Sequence, residues 1–161
     1  MKLLRVGEFK KEKPAALDKD GKIRDLSQHI SDLDPSTLNF ENLEKLQKLD
    51  LGTLPEVSSS TRIGSCIARP GKFLAIGLNY SDHAAETNAE IPKEPIVFNK
   101  ASNCMVGPND NIILPKLSKK LDWEVEIAFV VGKETKYISE EDAPNHILGY
   151  CMVNDVSERE W

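Results

Sequence analysis

The stretch Leu121-Asp122-Trp123-Glu124-Val125-Glu126-Ile127-Ala128-Phe129-Val130-Val131 reads as a β-strand whose two faces differ in character. Trp123, Val125, Ile127, Phe129 and Val131 fall on one face. Asp122, Glu124, Glu126, Ala128 and Val130 fall on the other. Glu124 and Glu126 therefore point the same way, and two carboxylates so placed repel unless a cation or a proton lies between them. A third acid, Asp155, closes a later apolar strand that runs from Leu148 through Asn154. Three carboxylates with no Cys or His nearby select a hard cation, Mg²⁺ or Mn²⁺, with water or substrate filling the remaining positions. A solvent-facing strand edge that happens to carry two acids explains the same letters, and spacing alone leaves both readings open.

Around this stretch the second part of the chain alternates strands with brief turns. Strands are expected at 73–77, 95–100, 111–115, 123–132 and 147–155, with short helices at about 81–88 and 139–145. Strands in close succession with little helix predict a mostly antiparallel sheet that curls or closes. Residues 1–60 differ in kind. A strand at 3–9 leads to a hairpin turn at Asp18-Lys19-Asp20-Gly21. A helical stretch follows, with Leu43, Leu46 and Leu49 at helical spacing and Gly52 and Pro55 beyond them. Ser58-Ser59-Ser60-Thr61 reads as a linker. The expected organisation is a small α+β accessory unit over 1–60 and a mainly β part over 61–161.

Composition narrows the function classes. The net charge of -5 over 161 residues argues against a nucleic-acid partner, which needs clustered Lys and Arg. Lys10, Lys11 and Lys13 form one basic cluster, but Glu12 interrupts it. No apolar run approaches the roughly 20 residues that span a bilayer, and Met1 to Phe9 lacks an apolar signal core. The expectation is a cytoplasmic protein without membrane or nucleic-acid partners. Cys66, Cys104 and Cys151 are odd in number and widely spaced, so they are expected to be reduced filler positions rather than disulfide or zinc ligands.

A second stretch, Phe73 through Glu86, reads as a buried strand running into a helix. His83 and Glu86 stand at i and i+3 and share a helix face. A Glu there can orient the imidazole and raise its basicity, as a general base requires; an exposed helical ion pair explains the pair equally simply. His29 and His146 have no such companion and are read as structural.

Taken together, these segments resemble the fumarylacetoacetate hydrolase family, in its bacterial branch of 2-oxo acid hydrolases, isomerases and lyases. The likeness is carried by Gly77-Leu-Asn-Tyr-Ser-Asp-His-Ala-Ala-Glu86, Pro95-Ile-Val-Phe-Asn-Lys100, Gly107-Pro-Asn-Asp110, Asp122-Trp-Glu-Val-Glu126, Val131-Gly-Lys133, Gly149-Tyr150, Asn154-Asp-Val-Ser157 and Arg159. Met1-Lys-Leu-Leu-Arg5 and Asp20-Gly-Lys-Ile-Arg-Asp-Leu-Ser27 are similar to the N-terminal unit of members labelled ureidoglycolate lyase or 2,4-diketo-3-deoxy-fuconate hydrolase.

The resemblance implies a β-roll assembled as a homodimer or higher oligomer. It implies Glu124, Glu126 and Asp155 as ligands of Mg²⁺ or Mn²⁺, and His83 with Glu86 as the acid–base pair. Arg159 and Lys100 are implied as substrate-binding groups. The implied reaction is hydrolase or lyase cleavage of a C–C bond in a small 2-oxo or 2,4-dioxo acid through a metal-chelated enolate, in sugar-acid or aromatic catabolism. Isomerase, decarboxylase or ureidoglycolate lyase chemistry fits the same scaffold. Leu78 departs from the arginine of some acylpyruvate-cleaving relatives. The family pattern also continues past the position of Trp161 with a glutamine and a lysine, so the expected fold is an incomplete β-roll. The rival from another class is a catalytically inactive fragment that binds metal or docks on full-length subunits.

Overall fold

Four short strands open the chain, and the computed structural model describes all of residues 1–161. β1 (Lys2–Val6) and β2 (Lys13–Leu17) pair antiparallel with Leu4 opposite Ala15. β3 (Ile23–Asp25) and β4 (Glu56–Val57) extend the sheet in the order β1-β2-β3-β4. The expected hairpin turn joins β2 to β3. Asp18 fixes it by accepting the Asp20 and Lys22 N–H groups, each at 2.9 Å, while Gly21 takes a φ of +77°.

Helix α1 (Phe40–Gln47) starts where the Asn39 side chain accepts the Asn42 N–H at 2.9 Å. Its Leu46 packs with Ala16, Leu26, Ile30 and Leu33, all buried. Leu4, Val6, Ala15 and Ile23 form a second cluster in the same half. The chain divides into two compact units, Met1–Ala68 with Val106–Trp161, and Arg69–Met105.

In the smaller unit β5 (Phe73–Gly77) pairs antiparallel with β6 (Ile96–Lys100), and α2 (Ser81–Glu86) lies between them in sequence. In the larger unit β7 (Leu121–Asp122) pairs with β10 (Ser157–Glu158), and β8 (Val125–Val131) pairs with β9 (Ile147–Asn154). Both pairs are antiparallel. No helix of the chain is long and apolar enough to cross a membrane.

Three expectations need correction. The strand read over 121–131 is interrupted at Trp123 and Glu124, which leave the ladder between β7 and β8. Residues 111–115 form no strand: Ile112, Ile113 and Leu114 are exposed and find no partner, so β-propensity goes unused. The helix at 139–145 shrinks to a 3₁₀ turn over Ala143–His146, where Pro144 near its start has no N–H to bond a carbonyl of the preceding turn.

A charged network stitches the two segments of the larger unit together. Arg62 donates from Nε to Asp110 at 2.7 Å, and from one amino group to Glu12 at 2.8 Å and the Gly7 carbonyl at 3.1 Å. Arg5, buried, donates to Asp32 at 2.6 Å and reaches Glu12 at 3.4 Å. The Asp110 carboxylate also accepts the Gly107 N–H at 2.7 Å. Gly107 itself lies against the backbone of the N-terminal half. A Cβ there would sit 2.0 Å from the Ile63 carbonyl oxygen and 3.0 Å from the Gly64 Cα.

Gly107→Ala must push two backbones apart, so it should destabilise the chain by roughly 1–3 kcal/mol or more. Gly149→Ala, which meets nothing within 4 Å, should be close to neutral; urea unfolding of both variants checks the contrast. The hydrogen bond from Arg62 holds the Asp110 carboxyl below the usual carboxylate range. Its contribution is present above the unfolded carboxylate pKa and is lost as pH falls through the lower folded value. Thermal midpoints of wild type should therefore fall more steeply below about pH 4 than those of Asp110→Asn.

Candidate metal-binding face

One register runs through both strand pairs of the larger unit. Val125 lies opposite Asn154 and Glu126 opposite Val153, while Ser157 lies opposite Asp122. In the break between them the Asp155 N–H donates to the Glu124 carbonyl at 2.8 Å, and the Glu124 N–H donates to the Asn154 side chain at 3.1 Å. Glu124 thus stays opposite Asp155 although neither belongs to a strand. Residues directly opposite share a face, so Glu124, Glu126, Asp155 and Asp122 stand together on one side. Arg159 joins them, because its N–H donates to the Lys120 carbonyl at 3.0 Å and continues the same pairing.

The two faces of β8 are unequal in exposure, in the opposite sense to an ordinary half-buried strand. Glu126, Ala128 and Val130 are half-buried. On the other face Trp123 is 73% exposed, Ile127 66% and Phe129 58%, and Met152 of β9 is 68%. An uncovered apolar stripe of that length is uncommon on the free surface of a monomer.

The donors fit a hard divalent cation in kind: three carboxylates, all oxygen, projecting from one face. Their side chains are not drawn into a ready cage, since no three His, Cys, Asp or Glu side chains are gathered to hold a metal ion. Glu124 is turned elsewhere. Its Oε1 takes a 2.6 Å ion pair from Arg159 Nη2, which also lies 2.9 Å from Asp122 Oδ2. Arg159 Nε donates to that same Asp122 oxygen at 3.0 Å. The Asp122 hydrogen bond, and then the charges of Glu124 and Asp122, raise the already high guanidinium pKa.

The other named residues lie in the smaller unit. His83 is half-buried on α2 and Glu86 is exposed. Their i, i+3 spacing puts them on one face of a single helical turn, as expected. His83 spends its backbone N–H on Asp82 at 2.9 Å, and its carbonyl accepts the Thr87 hydroxyl at 2.9 Å. Leu78, between β5 and α2, takes a φ of +49°, an uncommon and strained conformation for a branched side chain. Lys100 ends β6, half-buried, with its ammonium 5.5 Å from the Phe98 ring centre.

Two features escaped the reading of the sequence. Asp122 is the anchor of Arg159; its place on the Glu124 face was legible, but its partner across the ladder was not. Cys66 and Cys151 are free cysteines whose thiols hydrogen-bond to each other in the fold. That bond draws the Cys66 thiol down to about 7 and pushes the Cys151 thiol up.

Residues 72–161 match the family described as fumarylacetoacetate (FAA) hydrolase C-terminal. A curated protein of Burkholderia multivorans, whose provisional name says hydrolase and no more, is 54% identical over 161 residues, covering 100% of this chain and 57% of its own length. Among solved structures, the fumarylacetoacetate hydrolase of Exiguobacterium antarcticum superposes with a TM-score of 0.80 at 26% identity, covering 99% of this chain and 57% of that one. The maleylpyruvate hydrolase of a Sphingobium strain, solved with manganese(II) and pyruvate, gives 0.77 at 20% identity, covering 98% and 60%. This chain therefore spans little more than half the length of the curated relatives it matches, and its fold is part of theirs. With more than half of its residues matched by the family pattern, the chain belongs to the fumarylacetoacetate hydrolase family.

Proposed function

We propose that this chain provides the metal-binding face and the acid–base pair of a divalent-metal-dependent hydrolase or lyase acting on a small 2-oxo or 2,4-dioxo acid. The observation that carries the reading is the shared register, which sets Glu124, Glu126 and Asp155 on one side of a paired ladder. Family membership supports the class of chemistry. A related structure of the same fold holds manganese(II) together with pyruvate, itself a 2-oxo acid.

Glu124, Glu126 and Asp155 would hold Mg²⁺ or Mn²⁺. When bound, such a cation supplies Lewis-acid polarisation of a 2-oxo group and positive charge for the enolate left by C–C cleavage. Arg159 would contact the substrate carboxylate, since a guanidinium matches that group with paired N–H donors. His83, oriented by Glu86, would take a proton from water, and later return it to the leaving carbon. Lys100 would add a second positive charge for an anionic substrate. Assembly as a homodimer or higher oligomer belongs to the same proposal, supported by the apolar stripe from Trp123 to Phe129.

The test assays the protein on a panel of 2-oxo acids with added Mn²⁺. Glu126→Gln should lower metal-dependent turnover by at least a hundredfold, on the scale of losing a ligand or its support, while leaving the thermal midpoint near wild type. Turnover unchanged in Glu126→Gln overturns the assignment. Identifying the products separates hydrolysis from isomerisation or decarboxylation.

A further inference from the structure

Arg159 already does what a cation would do at this face. Its Nη2 lies 2.6 Å from Glu124 Oε1 and 2.9 Å from Asp122 Oδ2, and its Nε adds a 3.0 Å bond to the same Asp122 oxygen. One guanidinium thus spans two carboxylates, with two of the three contacts on Asp122. The arrangement is partly shielded: the side chains of Arg159, Asp122 and Glu124 are 38%, 46% and 25% exposed.

A carboxylate oxygen that bonds a divalent cation at roughly 2.1 Å cannot also hold a guanidinium at hydrogen-bond distance without pressing two positive charges together. A cation seated on Glu124 Oε1 therefore has to displace the guanidinium from that oxygen. Asp122 need not release it, since its contacts to Nε and Nη2 survive if only Glu124 rotates away.

We propose that Arg159 is a resident counter-cation on Glu124 that a divalent metal displaces, and that Asp122 is the positioning residue that keeps the released guanidinium beside the site. The proposal rests on the metal reading above and adds an order to it. Metal binding comes first, and only then are the N–H groups that faced Glu124 available to an anionic substrate. Lysine could reach both carboxylates through its one nitrogen, as Nη2 does here, but it has no counterpart to Nε to hold Asp122 once Glu124 turns away.

The experiment is Mn²⁺ binding to the chain, followed by the electron paramagnetic resonance signal of free Mn²⁺ at fixed ionic strength, with thermal midpoints recorded for every variant. Arg159→Gln should bind Mn²⁺ about two- to fivefold more tightly than wild type, the size expected when one partly exposed ion pair no longer competes. Arg159→Lys keeps a charged nitrogen that can compete for Glu124, so it should bind Mn²⁺ no more tightly than Arg159→Gln; tighter binding than in Arg159→Gln would overturn the counter-cation. Asp122→Asn should weaken Mn²⁺ binding in wild type, because the guanidinium then leans wholly on Glu124. In the Arg159→Gln background the same change should have a clearly smaller effect. An equal effect in both backgrounds would remove the positioning role of Asp122. Unchanged or weaker binding in Arg159→Gln overturns the counter-cation. Glu126→Gln distinguishes that failure from failure of the metal reading itself: Mn²⁺ bound there as tightly as in wild type means the cation sits elsewhere, and both fall.

Discussion

The pairing register of β8 with β9 is the constraint on which the candidate site depends. Side chains alternate along a strand, so sliding one strand by a single residue would send its carboxylates to the opposite face. With Glu126 opposite Val153, Asp155 reaches the Glu124 carbonyl through its own N–H at 2.8 Å and stands beside both glutamates. The same register continues into β7 and β10 and delivers Arg159 to Asp122. The interruption at Trp123 and Glu124 leaves the pairing intact while freeing Glu124 from strict strand geometry. That is a useful property in a side chain that must turn between partners.

The contact of Gly107 and Asp110 with the N-terminal half is polar and close-packed. Glu12 lies between Arg5 and Arg62, and Arg62 passes the connection to Asp110. Removing one member of such a network leaves another charge poorly compensated, which is why these groups act as a unit. Gly132 adds a contact of another kind: at the end of β8 it lies so near the Phe40 ring that a Cβ would approach it to 2.8 Å. The buried apolar clusters lie in the N-terminal half, whereas the apolar face of β8 stays uncovered. Burying that face is where further stabilisation is to be found.

Alternation made the acidic face legible from sequence, and the periodic leucines with the Asp-Gly turn made the N-terminal sheet and helix legible. The limits came where the deciding neighbour is remote. Gly107 is conspicuous as a letter, yet its necessity comes from the Ile63 carbonyl, which only the fold brings near. The hydrogen bond between Cys66 and Cys151 is hidden for the same reason. Residues 111–115 have the composition of a strand, but a strand also needs a partner, and Ile113 remains 87% exposed. The role of Asp122 required knowing that Arg159 lies diagonally across the ladder, a fact of register that no spacing along one strand reveals.

The most direct test of the metal-binding face is a crystal structure grown with Mn²⁺, with diffraction recorded on both sides of the manganese absorption edge. The account predicts an anomalous peak among the carboxylates of Glu124, Glu126 and Asp155, with Arg159 drawn off Glu124 and still bonded to Asp122. Manganese found elsewhere, or this face empty with Arg159 still paired to Glu124 at saturating Mn²⁺, would contradict it.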